Sequence, residues 1–464
     1  MERLHRAAVQ ILETTGLNVH HPVMRQQLAA AGARLGEEPR VFLPGALIDC
    51  ALRSARREVV IYNRLGQPAL FLSPHRVYFG TGSDLVFLHH PLTGERRKST
   101  LADVARAARL CDALPEIGFV MSAALPDEVP NENREPQQYA SIVANTIKPP
   151  IMTNFSRLGT LERMHAMACL VAGDDRLFRS HPNYVLYGQF VSPLQHDPLA
   201  VDRLVFCADH EVPLIYIPTI IAGTSGPITV AGALALAVAE TLAGLVMHQV
   251  RHAGAPFIFG ACLSRMDMRT MIFPYGSPEW RLSDLVMAEL ARHYGLPVFG
   301  TGGATDSQVV DAQAGLEYAN SLLIGALAGI NLIHDVGYLN SGLAGSLEAI
   351  VLGAEQIRWV RRFLAGIAVS EEDLALEVID AVGPGRDFLG EQHTLRNLRK
   401  DMWLPYALNH TTYEAWVQSG ARDYAERAAD VARQLLRMHE PVPLAPSLAA
   451  DLRELSRLSE WPAL

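Results

Sequence analysis

The chain has 464 residues, of which 49 % are hydrophobic and 19 % are charged, so it can bury a large core. A net charge of −9 argues against a nucleic-acid-binding surface, which would need a concentrated basic face. The five cysteines form no Cys-x-x-Cys pair, which makes a zinc site or a disulfide framework improbable and favours reduced thiols.

Residues 1–75 predict an N-terminal extension of helices and short strands. Helical spacing of apolar residues covers residues 3–15 and 22–31, and a third helix is predicted over 44–55. Two short β segments follow at 59–63 and 69–72. The first residues lack the apolar core of a signal peptide, so we expect a cytoplasmic protein.

Residues 76–365 alternate between short apolar runs and longer stretches of helical period. Eight runs occur, at 76–81, 118–122, 150–154, 184–189, 213–218, 256–261, 297–302 and 331–334. Their continuous apolar character is typical of strands covered on both faces, so eight strand–helix units predict an α/β fold of the (β/α)8 TIM-barrel class. A doubly wound sheet is the alternative, but Gly300-Thr-Gly-Gly lacks the spacing of a dinucleotide-binding loop.

The remaining segments complete the predicted architecture. Residues 231–249 are the longest apolar stretch, but Glu240 and His248 interrupt it, which favours a packed helix over a membrane span. Residues 366–464 predict a C-terminal helical extension that either covers the barrel bottom or forms an oligomer contact.

In such a barrel the chemistry lies at the C-terminal ends of the strands and in the loops that follow them. Aromatic side chains near those ends suit a quaternary ammonium group through cation–π attraction, although packing within the barrel explains any one of them as well. They are Tyr78, Phe79, Phe155, Phe190, Tyr216 and Tyr338, and Gln189 ends the fourth run.

His334 and Asp335 come where the eighth apolar run ends, and a loop with Tyr338, Asn340 and Ser341 follows. The imidazole can hydrogen-bond a carboxylate or orient a neighbour, and the carboxylate can neutralise a cation, so the two are candidate catalytic residues. Structural roles as strand-end and loop-capping residues are the alternative.

A second set of residues predicts a place for an anionic group. Gly223, Thr224 and Ser225 lie just before a long predicted helix, whose N-terminus favours negative charge. A plain helix cap explains the hydroxyls equally well. Gly302 and Asp306, which follow the seventh run, complete this candidate cofactor-binding set.

Several blocks in order resemble the trimethylamine methyltransferase family. They are Phe79-Gly-Thr-Gly-Ser-Asp84, Leu92-Thr-Gly-Glu-Arg-Arg97, Gly223-Thr-Ser-Gly-Pro-Ile-Thr-Val-Ala-Gly-Ala233, Tyr275-Gly-Ser-Pro-Glu279, Tyr294-Gly-Leu-Pro297, and Thr305-Asp-Ser307 with Asp311-Ala-Gln313. The resemblance runs from the N-terminal helices to about residue 440. It implies a barrel enzyme that moves a methyl group from an N-methylated amine to the cobalt of a corrinoid carried by a separate small protein.

The founding trimethylamine enzymes contain pyrrolysine, whereas this chain contains only standard residues. It therefore resembles the branch without pyrrolysine, of which glycine betaine methyltransferases are members, and a quaternary amine is the expected substrate. Its methyl group already sits on a positively charged nitrogen. The resemblance implies no tightly bound cofactor, and we expect no metal site and a homo-oligomer.

In this scheme Tyr78, Phe79, Tyr216 and Tyr338 contact the ammonium group. His334, with Asn340, Ser341 and Gln189, holds a carboxylate or another polar tail. A zinc-dependent methyltransferase, a barrel hydrolase or lyase, and a non-catalytic binding protein for betaine-like solutes remain the alternatives.

Overall fold

Eight parallel strands form the centre of the computed structural model, which describes residues 1–90, 93–154 and 156–462 except the side chains of 399–401. Each strand pairs with the next, the eighth with the first, and a bridge between Val120 and Pro150 joins the second to the third. The predicted (β/α)8 barrel is therefore confirmed. The strands are β1 Tyr78–Thr81, β2 Ile117–Phe119, β3 Ile151–Thr153, β4 Val185–Phe190, β5 Leu214–Ala222, β6 Phe257–Gly260, β7 Val298–Thr301 and β8 Leu332–Val336.

A helix follows each strand and covers the outside of the barrel. Side chains of Asp197, Ser277, Asp311 and Ser346 accept hydrogen bonds from the backbone at the starts of the fourth, sixth, seventh and eighth helices. The helices are α1 Leu101–Ala113, α2 Asn131–Asn145, α3 Leu158–Ala172, α4 Pro198–His210, α5 Val230–Arg251, α6 Pro278–Tyr294, α7 Ala312–Ala328 and α8 Leu347–Leu364.

Within the described ranges, α5 is the one helix long and apolar enough to cross a membrane. Of its most apolar window, 83 % is buried inside the protein. The helix packs against β5 and against the N-terminal helices, so its apolar character is explained by burial in the core.

The N-terminal extension closes one end of the barrel. Its elements are helices Glu2–Gln10, Ile11–Thr15, Pro22–Ala30 and Gly45–Ser54, strands Leu17–Val19, Arg34–Leu35 and Arg40–Phe42, and the hairpin Val59–Tyr62 with Pro68–Leu72. Ile61 and Leu70 of the hairpin are buried in one cluster with Ile151, Ile215 and Leu332 from the barrel strands. The hairpin therefore seals the N-terminal end of the barrel, and the opposite end carries the loops.

The C-terminal extension is anchored to α8 by one buried carboxylate. Glu355 accepts hydrogen bonds from the backbone N–H groups of Tyr406, Ala407 and Leu408 and from the hydroxyl of Tyr424. The helices of the extension are Glu371–Leu374, Leu376–Val382, Gln392–Asp401, Tyr413–Gln418, Tyr424–Met438 and Pro446–Ser456. The last two pack on α8 and on α2 and α3, so the end of the chain belongs to the barrel's outer layer.

Short strands and one short helix occupy the loops. They are Phe87–His89, Arg96–Lys98, Asp175–Ser180, Gln195–His196, Cys262–Arg265, Tyr338–Leu339 and Ala344–Gly345, with a 3-10 turn at Asn340–Gly342. The strand Cys262–Arg265 pairs with residues 219–222, so β5 extends beyond the barrel mouth.

The contact between α5 and β5 gives a test of this packing. A Cβ added at Gly244 would lie 2.5 Å from the ring of Tyr216, whereas one added at Gly315 in α7 would meet nothing within 4 Å. Gly244→Ala should lower the thermal unfolding temperature, with a cost of about 1–3 kcal/mol from overpacking. Gly315→Ala should raise it slightly or leave it unchanged, because alanine favours helix. Equal falls for the two variants in circular dichroism melts would contradict the packing.

Candidate active site at the barrel mouth

A bulge in β8 brings the side chains of His334 and Asp335 into contact. Ile333 pairs with Phe79 and Val336 pairs with Thr81, so β8 has one residue more than β1 between these pairs. Asp335 takes up the extra length with a φ of 84°. As a result the carboxyl oxygen of Asp335 lies 3.1 Å from Nε2 of His334, and both side chains are buried.

Burial keeps this pair uncharged. Desolvation lowers the pKa of His334 to about 4, and Nδ1 lies 2.9 Å from the carbonyl oxygen of Gly300, to which it donates as a neutral ring. Burial also raises the pKa of Asp335 well above its usual range. A protonated carboxyl group can then donate to Nε2, which satisfies both buried side chains without a net charge.

Three tyrosine rings lie around this carboxyl group, those of Tyr187, Tyr275 and Tyr338. We call these three rings together with Asp335 the tyrosine cage. Burial raises the pKa of all three phenols, and the nearby Asp335 carboxyl raises each of them further. The Tyr275 and Tyr338 rings are 6.1 Å apart, and Tyr187 lies 5.2 Å from Phe299. Neutral rings and one carboxyl group thus converge at the C-terminal end of the strands.

Tyr338 is held rigidly within the cage. Its hydroxyl accepts a hydrogen bond of 2.7 Å from the backbone of Ser83 and donates to the carbonyl of the same residue. Its own carbonyl accepts from the hydroxyl of Tyr318 at 2.9 Å. Gly82 makes room for the ring, because a Cβ there would lie 2.0 Å from it and 2.7 Å from the Asp335 carboxyl.

Asp306 positions Tyr275 by joining two loops. Its carboxylate accepts from the backbone N–H groups of Tyr275 at 2.8 Å and Gly276 at 2.9 Å, and from the hydroxyl of Ser341 at 2.7 Å. The backbone N–H of Asp306 donates to Glu317 of α7. Asp306 and Ser341 therefore fix the loops that carry the cage.

Gln189 lies beside the cage and is half-buried. Its side-chain amide donates to Thr219 at 2.8 Å and to the hydroxyl of Tyr187. The thiol of Cys262 lies 3.9 Å from the same hydroxyl, and burial raises its pKa to about 12. This thiol is neutral, so the cage holds no thiolate nucleophile.

A cavity of about 860 Å³ opens beside the ends of β1 to β3. Asp84 lies on its wall and accepts hydrogen bonds from Thr153 at 2.5 Å, Ser122 at 2.9 Å and Gln138 at 3.0 Å. Of the described residues, those of the tyrosine cage do not line this cavity, so it lies beside the cage and not within it.

Three of the predicted aromatic contacts lie away from the cage. Tyr78 begins β1, and its hydroxyl accepts from the backbone of Phe71 at the sealed end of the barrel. Phe79 and Tyr216 are buried on the outer faces of their strands, where Arg361 of α8 lies over Phe79 and α5 packs on Tyr216. Strand side chains alternate between faces, and these two have the wrong phase for the interior.

The predicted anion-binding residues also lie apart from the cage. Thr224 and Ser225 bond within a tight turn at the end of β5, and α5 begins only at Val230. Gly223 adopts a φ of 99° in that turn. Gly302 packs against Ile333 below α7. Phe155, one of the predicted aromatic contacts, lies outside the described residues.

The structure places the predicted residues His334, Asp335 and Tyr338 together, with Gln189 beside them, and adds residues that the sequence analysis did not name as site residues. Tyr187 is two positions before Gln189, so the period of two along the strand could have found it. Tyr275 opens one of the quoted family blocks, which was a second available signal. The further neighbours are Cys262, Trp280 and Phe299.

Comparison with known proteins shows which family and which fold the chain resembles. The sequence model of the trimethylamine methyltransferase family matches residues 1–459. A trimethylamine methyltransferase of Desulfitobacterium hafniense is 30 % identical over 98 % of this chain and 92 % of its own length. A glycine betaine methyltransferase of the same species is 29 % identical over 98 % of this chain and 94 % of its own length. The crystal structure of the Methanosarcina barkeri monomethylamine methyltransferase covers 94 % of this chain and 86 % of its own, with a TM-score of 0.53 at 12 % identity, and shows the fold alone.

Two substitutions test the neutral His334–Asp335 pair. Asp335→Asn keeps a donor for Nε2 of His334 and tolerates a positive φ, so its thermal unfolding temperature at pH 7 should stay close to that of the parent. Asp335→Ala leaves that nitrogen buried without a donor and should cost about 1–3 kcal/mol. If both variants melt equally early, Asp335 does not act as a hydrogen-bond donor.

Proposed function

The chain belongs to the trimethylamine methyltransferase family, and we propose that it moves a methyl group from a quaternary or tertiary N-methyl amine, betaine-like in structure, to the corrinoid of a separate protein. The observation that carries this proposal is the tyrosine cage. Electron-rich ring faces attract an ammonium group, most strongly where water is excluded. A carboxyl group in their midst supplies the countercharge.

In this proposal the ammonium group of the bound amine replaces the proton of Asp335 as the charge that compensates the carboxylate. Without a bound amine, burial raises the pKa of Asp335 well above its usual range, although the Arg281 guanidinium acts in the opposite direction, and so favours the neutral form. A positively charged nitrogen among the rings favours the carboxylate instead, so substrate entry releases a proton from the site. Affinity for the amine therefore rises with pH as long as the free site is still protonated.

Loss of the methyl group removes this attraction. A reduced corrinoid on the partner protein would supply the nucleophile that accepts the methyl group. A quaternary amine that gives up a methyl group leaves as an uncharged tertiary amine, which the rings and the carboxylate hold less tightly. The cage thus needs to orient and desolvate the substrate, and positioning of this kind can lower a barrier by several kcal/mol.

The polar tail of a betaine-like substrate needs its own contact. We propose Gln189 and Asn340, both half-buried, for this role, and His334 as the residue that orients Asp335. The corrinoid is brought by the partner, so no tightly bound cofactor is proposed for this chain. All five cysteines are free thiols, which suits a reducing cytoplasm.

The proposal is tested by mixing the purified chain with a reduced corrinoid protein and a panel of N-methyl amines. Glycine betaine or a related quaternary amine should produce the absorbance change that accompanies methylation of the corrinoid. Asp335→Asn should lower the catalytic efficiency about tenfold or more, equivalent to about 1.4 kcal/mol, because the ammonium group loses its countercharge. Gly315→Ala, on the outer surface of α7, should act like the parent.

A carbon isostere separates recognition of charge from recognition of shape. In 3,3-dimethylbutanoate a carbon replaces the nitrogen of glycine betaine, and it should bind at least about tenfold more weakly if the cage reads the charge. Equal binding would contradict the role given to the cage. Binding of amines without any corrinoid methylation would favour a binding protein instead.

We also propose that a second copy of the chain covers the segment between α8 and residue 418. This segment exposes many large apolar side chains, which monomeric proteins rarely concentrate in one region. Ile367 is 88 % exposed, Leu389 86 % and Val369 72 %. Trp359 and Phe363 stack at 5.4 Å on the half-exposed end of α8 and extend the same surface.

The position of this segment supports a second copy of the chain as its occupant. Arg361 donates to the carbonyl of Glu116, and Tyr406 donates to the Glu116 carboxylate, just before β2 begins. The segment therefore leaves and rejoins the barrel at its N-terminal end, opposite the tyrosine cage. A corrinoid partner has to reach the cage, which leaves the apolar segment for another copy of this chain.

Light scattering after size exclusion tests this contact. The parent should be a dimer or a larger homo-oligomer, and the double change Ile367→Ser with Leu389→Ser should shift it towards the monomer. Leu316→Ser, at a residue of α7 that is 63 % exposed, removes a comparable apolar side chain elsewhere and should leave the mass unchanged. A monomeric parent would overturn the proposal.

A further inference from the structure

Three side chains with metal-binding atoms converge on the outside of the barrel. His165 and Cys169 are four residues apart on α3 and so lie on one face of the helix, and Asp175 begins the short helix that follows. The Cys169 Sγ lies 3.5 Å from Nε2 of His165, and a carboxylate oxygen of Asp175 lies 3.8 Å from the same nitrogen. One ligand atom of each residue lies within 4.8 Å of the other two.

His210, the last residue of α4, adds a fourth donor. Its Nδ1 lies 4.0 Å from the same oxygen of Asp175, and its ring is 4.8 Å from that of His165. The Nδ1 atom is buried, and the described residues give it no hydrogen-bond partner. A buried ring nitrogen without a partner is costly, and a metal ion would supply one.

These distances fit the edges of a tetrahedron around zinc. Zinc binds histidine nitrogen at about 2.0–2.1 Å and cysteine sulfur at about 2.3 Å, so neighbouring ligand atoms lie about 3.3–3.8 Å apart. The separations from His165 to Cys169 and to Asp175 are within this range. The Nδ1 atom of His210, 4.0 Å from Asp175, lies outside this range, so His210 has to move towards the other three donors when a metal binds.

Neighbouring groups orient the donors as metal sites require. The Tyr184 hydroxyl lies 3.2 Å from Nδ1 of His165 and can accept a hydrogen bond from it. The Nε2 lone pair then faces Cys169 and Asp175. Arg179 donates to the other carboxylate oxygen of Asp175 at 2.9 Å.

We propose that His165, Cys169, Asp175 and His210 bind a divalent transition metal, and zinc fits this donor set best. The ligands come from the C-terminal parts of α3 and α4 and from the helix between them, so the ion lies at the end of the barrel opposite the tyrosine cage. Four protein ligands leave no open position for a substrate, which makes the site structural. It joins α3 and α4, and Arg179 of the short helix between them already donates to the carbonyl of Asp209 at the end of α4.

The sequence analysis did not predict this site because its ligands lack the spacing of a known zinc-binding motif. His165 and Cys169 form a helical pair, but His210 comes 41 residues after Cys169, and only the fold brings it close. The expectation of no metal site rested on the absence of paired cysteines. A site with one cysteine, two histidines and a carboxylate has no such signature.

The experiment uses the full chain after exposure to a chelator and desalting, with zinc as the only added metal. Titration calorimetry and metal analysis should find one zinc per chain, and zinc should raise the thermal unfolding temperature. Cys169→Ser and His210→Ala should each weaken zinc binding at least about tenfold, since each removes one of four ligands. Cys50→Ser changes an exposed thiol that is not one of the four ligands and should bind zinc like the parent.

Cobalt(II) gives an independent readout that does not depend on enzyme activity. A tetrahedral thiolate site should produce a sulfur-to-cobalt charge-transfer band together with strong visible bands, and both should be lost in Cys169→Ser. If that variant fails to fold, Asp175→Asn, at a half-exposed position, takes its place. Zinc binding that is absent in the parent, or unchanged in the ligand variants, would overturn the proposal.

Discussion

Burial of a single carboxyl group is the constraint on which the barrel mouth depends. A carboxylate in an apolar barrel is strongly destabilised unless it is neutralised or paired. Burial raises the pKa of Asp335, which favours a protonated carboxyl group beside the neutral imidazole of His334, and the β8 bulge makes that contact possible. A buried carboxyl group that is neutral in the empty site and becomes a carboxylate beside a cation is suited to recognise ammonium groups.

The rest of the structure keeps this carboxyl group in a defined place. Asp306 ties the loop that carries Tyr275 to the loop after β8, and the backbone of Ser83 fixes the hydroxyl of Tyr338. These contacts arise from loops that follow different strands, and the closed barrel sets their relative positions. Rings held in this way lose little conformational entropy when a ligand enters, which strengthens binding.

The alternation of apolar runs and helical segments was sufficient to predict the eight strands and the barrel that they form. It could not tell which side chains point inward, because strands covered on both faces show no apolar–polar alternation. Phe79 and Tyr216 were therefore proposed as contacts although they pack against helices. The bulge adds a residue that no local pattern signals, so the closeness of His334 and Asp335 needed the structure. Convergence of His165 with His210 depends on tertiary packing in the same way.

The hairpin that seals the N-terminal end of the barrel, with Ile61 and Leu70 in the interior cluster, has a consequence for the sequence of events in a turnover. The loops at the opposite end are then the side from which a partner protein has to approach the tyrosine cage. In the proposed reaction a docked corrinoid protein would cover that side, so the amine would enter before the partner docks and the demethylated product would leave after it. Dissociation of a protein complex, rather than diffusion of a small amine, would then return the barrel to its starting state.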